Sequence, residues 1–154
     1  MKDTDSYDRD EPTRNMAIGY TTQDAEGNDT GILVENTALM PIMGTSAGGG
    51  YSTAEDLYNF SQSLLAFELL GAETTENLLK GRVEIRENIW AAYGFMDKLI
   101  AGERVYGQGG NAPGVCNLLE IYPELGTVVI ILSNTDAGCL RVRDYMLDNP
   151  IQGD

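Results

Sequence analysis

Hydrolysis at a carbonyl needs a nucleophile with a base in reach of its proton, so the serines are the first residues to test. Gly44-Thr45-Ser46-Ala47-Gly48 has the G-x-S-x-G spacing of a nucleophile elbow. An elbow needs a buried strand before the serine, a helix directly after it, and a histidine to take the proton. Here Gly48, Gly49 and Gly50 follow, and the 154-residue chain has no histidine, which excludes a Ser-His-Asp triad within it. The run from Gly44 to Gly50 reads instead as a tightly turning glycine-rich loop. Lysine can serve as the base in Ser-x-x-Lys, where one helical turn puts amine and hydroxyl on the same face. The six serines are Ser6, Ser46, Ser52, Ser61, Ser63 and Ser133, and three residues on stand Arg9, Gly49, Glu55, Leu64, Ala66 and Asp136. None is lysine, and no Tyr-x-Asn occurs.

Other constellations read more plainly as structure. Gly107-Gln108-Gly109-Gly110-Asn111-Ala112 fits G-x-G-x-x-A, but a dinucleotide fingerprint must open a helix, and Pro113-Gly114 and a further strand follow. The acidic pairs Glu55/Asp56 and Glu73/Glu76 suit helix N-termini and solvated faces better than acid/base dyads. Cys116 and Cys139 lack CxxC spacing, and without histidine a zinc site of the usual kind is not expected. Two buried thiols are the simpler reading of the pair, with a disulfide left open. The net charge of −14, with three lysines in the chain, argues against nucleic acid and anionic membrane surfaces. No apolar run is long enough to span a bilayer, and Met1 to Asp5 has no signal-peptide core.

The elements that must position any site follow from periodicity. A length of 154 residues fits one domain, 1–154. Residues 1–43 are polar and mostly irregular, with a turn signal at Glu26-Gly27-Asn28-Asp29. Residues 52–80 read as helical: Ser52 and Glu55 have capping-box spacing, Leu57, Phe60, Leu64 and Leu65 share one face, and Gly71 is the expected stop. A short second helix runs from about Thr75 to Lys80. Residues 89–134 read as strands, placed at 93–100, 104–111, 114–122 and 127–133, with a hairpin turn at Ala101-Gly102-Glu103. The continuous apolar run Thr127–Leu132 predicts a strand buried on both faces. A closing helix over 137–148 has Leu140, Tyr145 and Met146 or Leu147 available to face the sheet. This order is an α+β layout: an antiparallel sheet, a C-terminal helix and a small helical segment.

Several segments, kept in order, resemble the serine β-lactamase-like family of class C β-lactamases, D-alanyl-D-alanine carboxypeptidases and esterases. Ser46-Ala-Gly-Gly-Gly-Tyr-Ser-Thr-Ala-Glu-Asp-Leu-Tyr-Asn-Phe60 resembles its "aGGl-STa-DL-kF" segment. Tyr93-Gly94-Phe95 resembles its "YG-GF" strand, and Tyr106-Gly107-Gln108-Gly109-Gly110-Asn111-Ala112-Pro113-Gly114 its "yGHgGaapG" stretch. Ile121 to Gly126 and Val128 to Asn134 are similar to "iyPe-g-tvVvLsN", and Asn15 to Tyr20 to "nmA-GY".

The resemblance implies an incomplete β-lactamase/transpeptidase-like fold. It implies a hydrolase whose parent acylates a serine on an ester, lactam or D-amino-acid peptide, with no cofactor. The family's Ser-x-x-Lys and Tyr-x-Asn would lie upstream of these residues, so the chain is expected to be inactive alone. Its partners would be that small-molecule substrate together with a complementing N-terminal segment or a second copy of the chain. The third catalytic element, Lys/His-x-Gly on a strand, maps onto Gln108-Gly109-Gly110, and the Asn111 amide would help form the oxyanion hole. Gln108 departs from the pattern: a carboxamide hydrogen-bonds but carries no charge. That turns the expectation toward an uncharged substrate, or toward a non-catalytic binding or assembly module derived from the family.

Overall fold

The computed structural model describes residues 1–11 and 15–149. In chain order the elements are β1 (Tyr20–Gln23), β2 (Asp29–Glu35), α1 (Ala54–Leu65), α2 (Ala72–Leu79), β3 (Val83–Arg86), β4 (Ile89–Ala91), β5 (Met96–Ile100), β6 (Glu103–Ala112), β7 (Val115–Tyr122), β8 (Thr127–Ser133) and α3 (Gly138–Asp148). β1 and β2 form a separate antiparallel hairpin, and the other strands form one sheet in the order β3-β4-β5-β6-β7-β8. The fold is α+β with an antiparallel sheet, as expected. No helix among the described residues is long and apolar enough to cross a membrane.

The chain divides into two compact units, and the division falls within β6, β7 and β8. The first comprises 54–109 and 118–130 with Met1. Leu64, Leu79, Val105, Leu118, Leu119 and Ile121 are its buried apolar residues. Asp56, Asp97 and Glu120 are buried there too, and each has a cationic partner, because an unpaired charge there would be costly. Asp56 Oδ1 lies 3.9 Å from the Met1 ammonium, and Asp97 Oδ1 has no hydrogen-bond partner. Lys98 Nζ meets Glu120 Oε1 at 2.9 Å, and the Tyr122 hydroxyl donates to Glu120 Oε2 at 3.1 Å. Asp97 Oδ2 accepts from the Gly81 amide at 2.9 Å and from Arg104 Nη1 at 3.1 Å. Gly107 permits the close approach of β6 to its neighbour, since a Cβ there would run into the Leu119 carbonyl and the Glu120 side chain.

Helix α1 stops earlier than Gly71. The Glu68 amide donates to Ser63 O at 3.0 Å and the Phe67 amide to Leu64 O at 3.2 Å, the bond pair of a Schellman motif. Phe67 takes the left-handed position with φ 61°, where glycine is usual. Gly71 instead N-caps α2 with φ −62°. The capping box placed at Ser52 does not form either. The helix begins at Ala54, and the Ser52 hydroxyl bonds Thr4 Oγ1 at 2.8 Å and the Thr53 carbonyl at 3.3 Å. The turn expected at Ala101-Gly102-Glu103 is made by Ala101 and Gly102, both at positive φ (52° and 90°), while Glu103 already belongs to β6 as the partner of Ile100.

The second unit comprises 2–53, 110–117 and 131–154. Asp136 ties it together. Its carboxylate accepts from the Gly114 amide at 2.6 Å, Thr21 Oγ1 at 2.8 Å and the Thr22 amide at 3.4 Å. Burial pushes the Asp136 carboxyl up, and the bonds from Gly114, Thr21 and Thr22 outweigh that and leave it below the usual carboxylate range. Asn36 adds a second tie: its amide donates to Gly19 O at 2.9 Å and its Nδ2 to Pro113 O at 2.8 Å. Cys116 and Cys139 are joined in a disulfide, with Cα atoms 5.3 Å apart. This corrects the reading as two buried thiols. Both cysteines are indeed buried, but the fold brings their Cα atoms within bridging distance, which spacing along the chain could not show.

Other departures share a cause. β2 and β3 were not foreseen, because every residue of both is exposed and no alternating burial marks them; ladder hydrogen bonds make them strands. β8 is half-exposed rather than buried on both faces, and it ends the sheet order. On α3 only Cys139 is buried, while Leu140, Val142, Tyr145 and Leu147 are exposed.

Two outcomes are expected. Replacing both cysteines (C116A/C139A) should destabilise the chain by about 3 kcal/mol in urea unfolding, from the 23-residue separation that the bridge closes, and reductant should reproduce the effect. Asp136→Ala should cost about 2–3 kcal/mol, because it strands the Gly114 and Thr21 donors. A carboxyl with a depressed folded pKa adds stability that is complete above its unfolded pKa and is lost as pH falls through the folded value. Asp136→Asn should therefore flatten the stability loss below about pH 4, as measured by unfolding midpoints across pH.

Candidate active-site strand

The Gly44–Gly48 segment can be set aside as a nucleophile elbow. Thr45 and Gly48 exchange backbone hydrogen bonds at 2.7 and 3.1 Å, Ser46 is exposed, and the next helix begins only at Ala54. No strand leads into it and no helix follows it directly, so the loop reading holds.

Gln108, Gly109, Gly110 and Asn111 all lie on β6, and the sheet explains how that strand is displayed. Up to Gly107 the strand is ordinary: Val105 and Gly107 are buried, and Arg104 and Tyr106 point to the other, more open face. β5 pairs with it from Ile100↔Glu103 to Met96↔Gly107. β5 begins at Met96, so β6 runs on from Gln108 to Ala112 beyond any β5 partner. Every residue of that extension is exposed. The register of β5 was the feature that sequence reading missed; Gly94, with φ 78°, was the available signal that the strand could not begin at Tyr93.

The extension has a defined local geometry. The Gly109 amide donates to Gln108 Oε1 at 3.1 Å, so the neighbouring carboxamide satisfies it. Peptide groups along a strand alternate in direction, and the Asn111 amide therefore projects to the same side as that of Gly109. A Cβ built on Gly110 would meet nothing within 4 Å. Packing among the described residues thus requires glycine at 107 and not at 110. Gln108 adds hydrogen-bonding capacity without charge. No group of three or more His, Cys, Asp or Glu suited to holding a metal ion occurs among the described residues. Chemically, the extension offers backbone donors on a strand edge, which suits an extended ligand or a developing oxyanion.

Hydrogen exchange tests this edge. The Gly109 and Asn111 amides should exchange far faster than those of Val105 and Leu119, and Gln108→Ala should speed Gly109 further by removing its acceptor. Protection of Asn111 equal to that of Val105 would show the edge to be closed.

With this geometry in place, likeness to known proteins is informative. The family model described as Beta-lactamase matches residues 1–149. The chain is similar to a penicillin binding protein from Bacillus halodurans, at 28% identity and a TM-score of 0.83, over 93% of this chain and 43% of that one. It shares its fold with a D-stereospecific amidohydrolase from Streptomyces sp., with a TM-score of 0.65 at 20% identity, over 80% of this chain and 36% of that one. It therefore spans less than half the length of either solved structure. No curated protein matches it. The match over nearly all of its length and the shared sheet-and-helix architecture make the chain a member of the Beta-lactamase family, with that superfamily's hydrolase fold.

Proposed function

We propose that this chain supplies the substrate-binding strand of a serine β-lactamase-like acyl hydrolase and is inactive by itself. The observation that carries the reading is the extension of β6, where Gln108 to Ala112 pass beyond β5 with every residue exposed. In this reading a serine from a segment outside the present sequence attacks the carbonyl of an ester, lactam or D-amino-acid peptide. Its hydroxyl proton passes to a lysine amine, and the carbonyl oxygen becomes an oxyanion that the Asn111 amide stabilises. Collapse expels the alcohol or amine, which takes up the proton, and water then hydrolyses the acyl-enzyme. Gln108 and Gly109 align the substrate along the strand edge, and Gly110 keeps the approach clear.

Further support comes from what the described residues leave uncovered. Leu132 on β8 and Leu140, Val142, Tyr145 and Leu147 on α3 are all between 41% and 69% exposed. β8 stands at one end of the sheet order, where an unpaired edge offers a template for another strand. A complementing N-terminal segment of the same fold, or a second copy of this chain, would bury these groups.

A non-catalytic binding or assembly module is the second reading. The uncharged Gln108 favours it, since it stands where the family resemblance places Lys or His.

Mixing the purified chain with a separately expressed upstream segment that carries Ser-x-x-Lys and Tyr-x-Asn separates the two. Restored hydrolysis of a chromogenic ester or cephalosporin is the expected result, and Asn111→Pro, which removes the amide, should reduce that turnover by about 100-fold. Tight association without turnover would instead favour the binding module.

A further inference from the structure

Away from the β6 extension, the first unit holds an open cleft of about 330 Å³ between the end of α1, α2 and β6. That is the lower end of the size range of small-molecule sites, roughly 300–1,000 Å³. Leu65, Phe67, Leu79 and Tyr106 form apolar walls, and Lys80 and Arg104 stand among them. Thr75 and Glu76 complete the lining. The cleft thus carries two cationic side chains and one carboxylate on its walls, with Asp97 behind Arg104, in a chain of net charge −14 with only three lysines. Arg104 gives Nη1 to Asp97 and is 44% exposed, which leaves its other donors available.

The backbone at Phe67 is the independent observation. The C′ position of a Schellman motif favours glycine, and an aromatic L-residue there is strained. Phe67 nevertheless holds φ 61°, with its side chain on the cleft and 46% exposed. The aromatic residue is thus only partly covered by this chain. Strain of this kind clusters at ligand-binding and switch regions.

We infer that this cleft is a binding site for a small amphipathic carboxylate, with the apolar body against Phe67, Leu79 and Tyr106 and the carboxylate at Lys80 and Arg104. Guanidinium and ammonium groups select the anion, and the apolar walls select an aryl or alkyl chain over a bare anion. The site is distinct from Gln108–Asn111 and does not rest on the acyl-transfer reading, since binding requires no turnover.

The test is an NMR titration of the intact chain with 4-phenylbutyrate and, in parallel, with its neutral amide. The carboxylate should saturate at one equivalent with shifts centred on Phe67, Leu79 and Tyr106, and the amide should bind about tenfold more weakly. Lys80→Gln, at an exposed position, should weaken the carboxylate about two- to fivefold and leave the amide unchanged. Phe67→Gly is the deciding variant: it should raise or preserve the unfolding temperature by relieving the left-handed residue, while weakening both ligands about tenfold. Equal affinity for acid and amide, non-saturating shifts, or unchanged binding in Phe67→Gly would each overturn the proposal.

Discussion

A backbone amide that leaves its sheet ladder must find another partner, and β6 is organised by that constraint. Its first half is held by β5 through the register Ile100↔Glu103 to Met96↔Gly107. Its second half has lost that neighbour, and every side chain from Gln108 to Ala112 is exposed. The Gly109 amide is met by the Gln108 carboxamide, a local bond that a competing acceptor could replace without disturbing the fold. Display of backbone donors on a rigid strand is a way to bind a carbonyl oxygen that depends little on side-chain identity. It is compatible with an uncharged residue at 108.

Polar groups support β6, and the carboxylates among them are tied by hydrogen bonds, with Asp97 Oδ1 alone of their named oxygens left without one. Glu120 with Lys98 and Tyr122, and Asp97 with Arg104 and Gly81, hold the strands of the first unit. Asp136 with Gly114, Thr21 and Thr22 holds the turn that follows β6, within the second unit. The disulfide joins the start of β7 to α3 there. Paired charges of this kind add more to a single defined geometry than to net stability, and geometry is what a strand edge needs to bind a ligand.

Much of this was legible in the sequence because burial leaves a periodic trace. The strands around Leu99, Val105, Leu119 and Ile130 stood within a few residues of their observed bounds, and the helix bearing Leu57 and Leu64 stood in place but ends at Leu65, short of the expected stop at Gly71. Elements whose residues are exposed left no such trace. Ile32, Leu33 and Val34 on β2 and Val83 and Ile85 on β3 are apolar and uncovered, so only ladder bonds define those strands. Caps were misplaced where long-range bonds compete with local chemistry, as with Ser52 bonded to Thr4. Tertiary proximity was out of reach: the Cys116–Cys139 bridge and the Asp136 bonds to Thr21 and Gly114 connect residues far apart in sequence. The candidate strand was singled out by ordered motif resemblance, and the side of it that β5 leaves uncovered is seen in the register of β5.

The central claim, that the chain presents a substrate strand without its own nucleophile, is met most directly by intact-mass measurement. The purified chain is incubated with a serine-directed acylating probe while hydrolysis of a chromogenic short-chain ester is followed. The account predicts an unchanged mass and no turnover above the uncatalysed rate. A stoichiometric adduct accompanied by turnover would contradict it, and Ser46 would then be the first residue to replace.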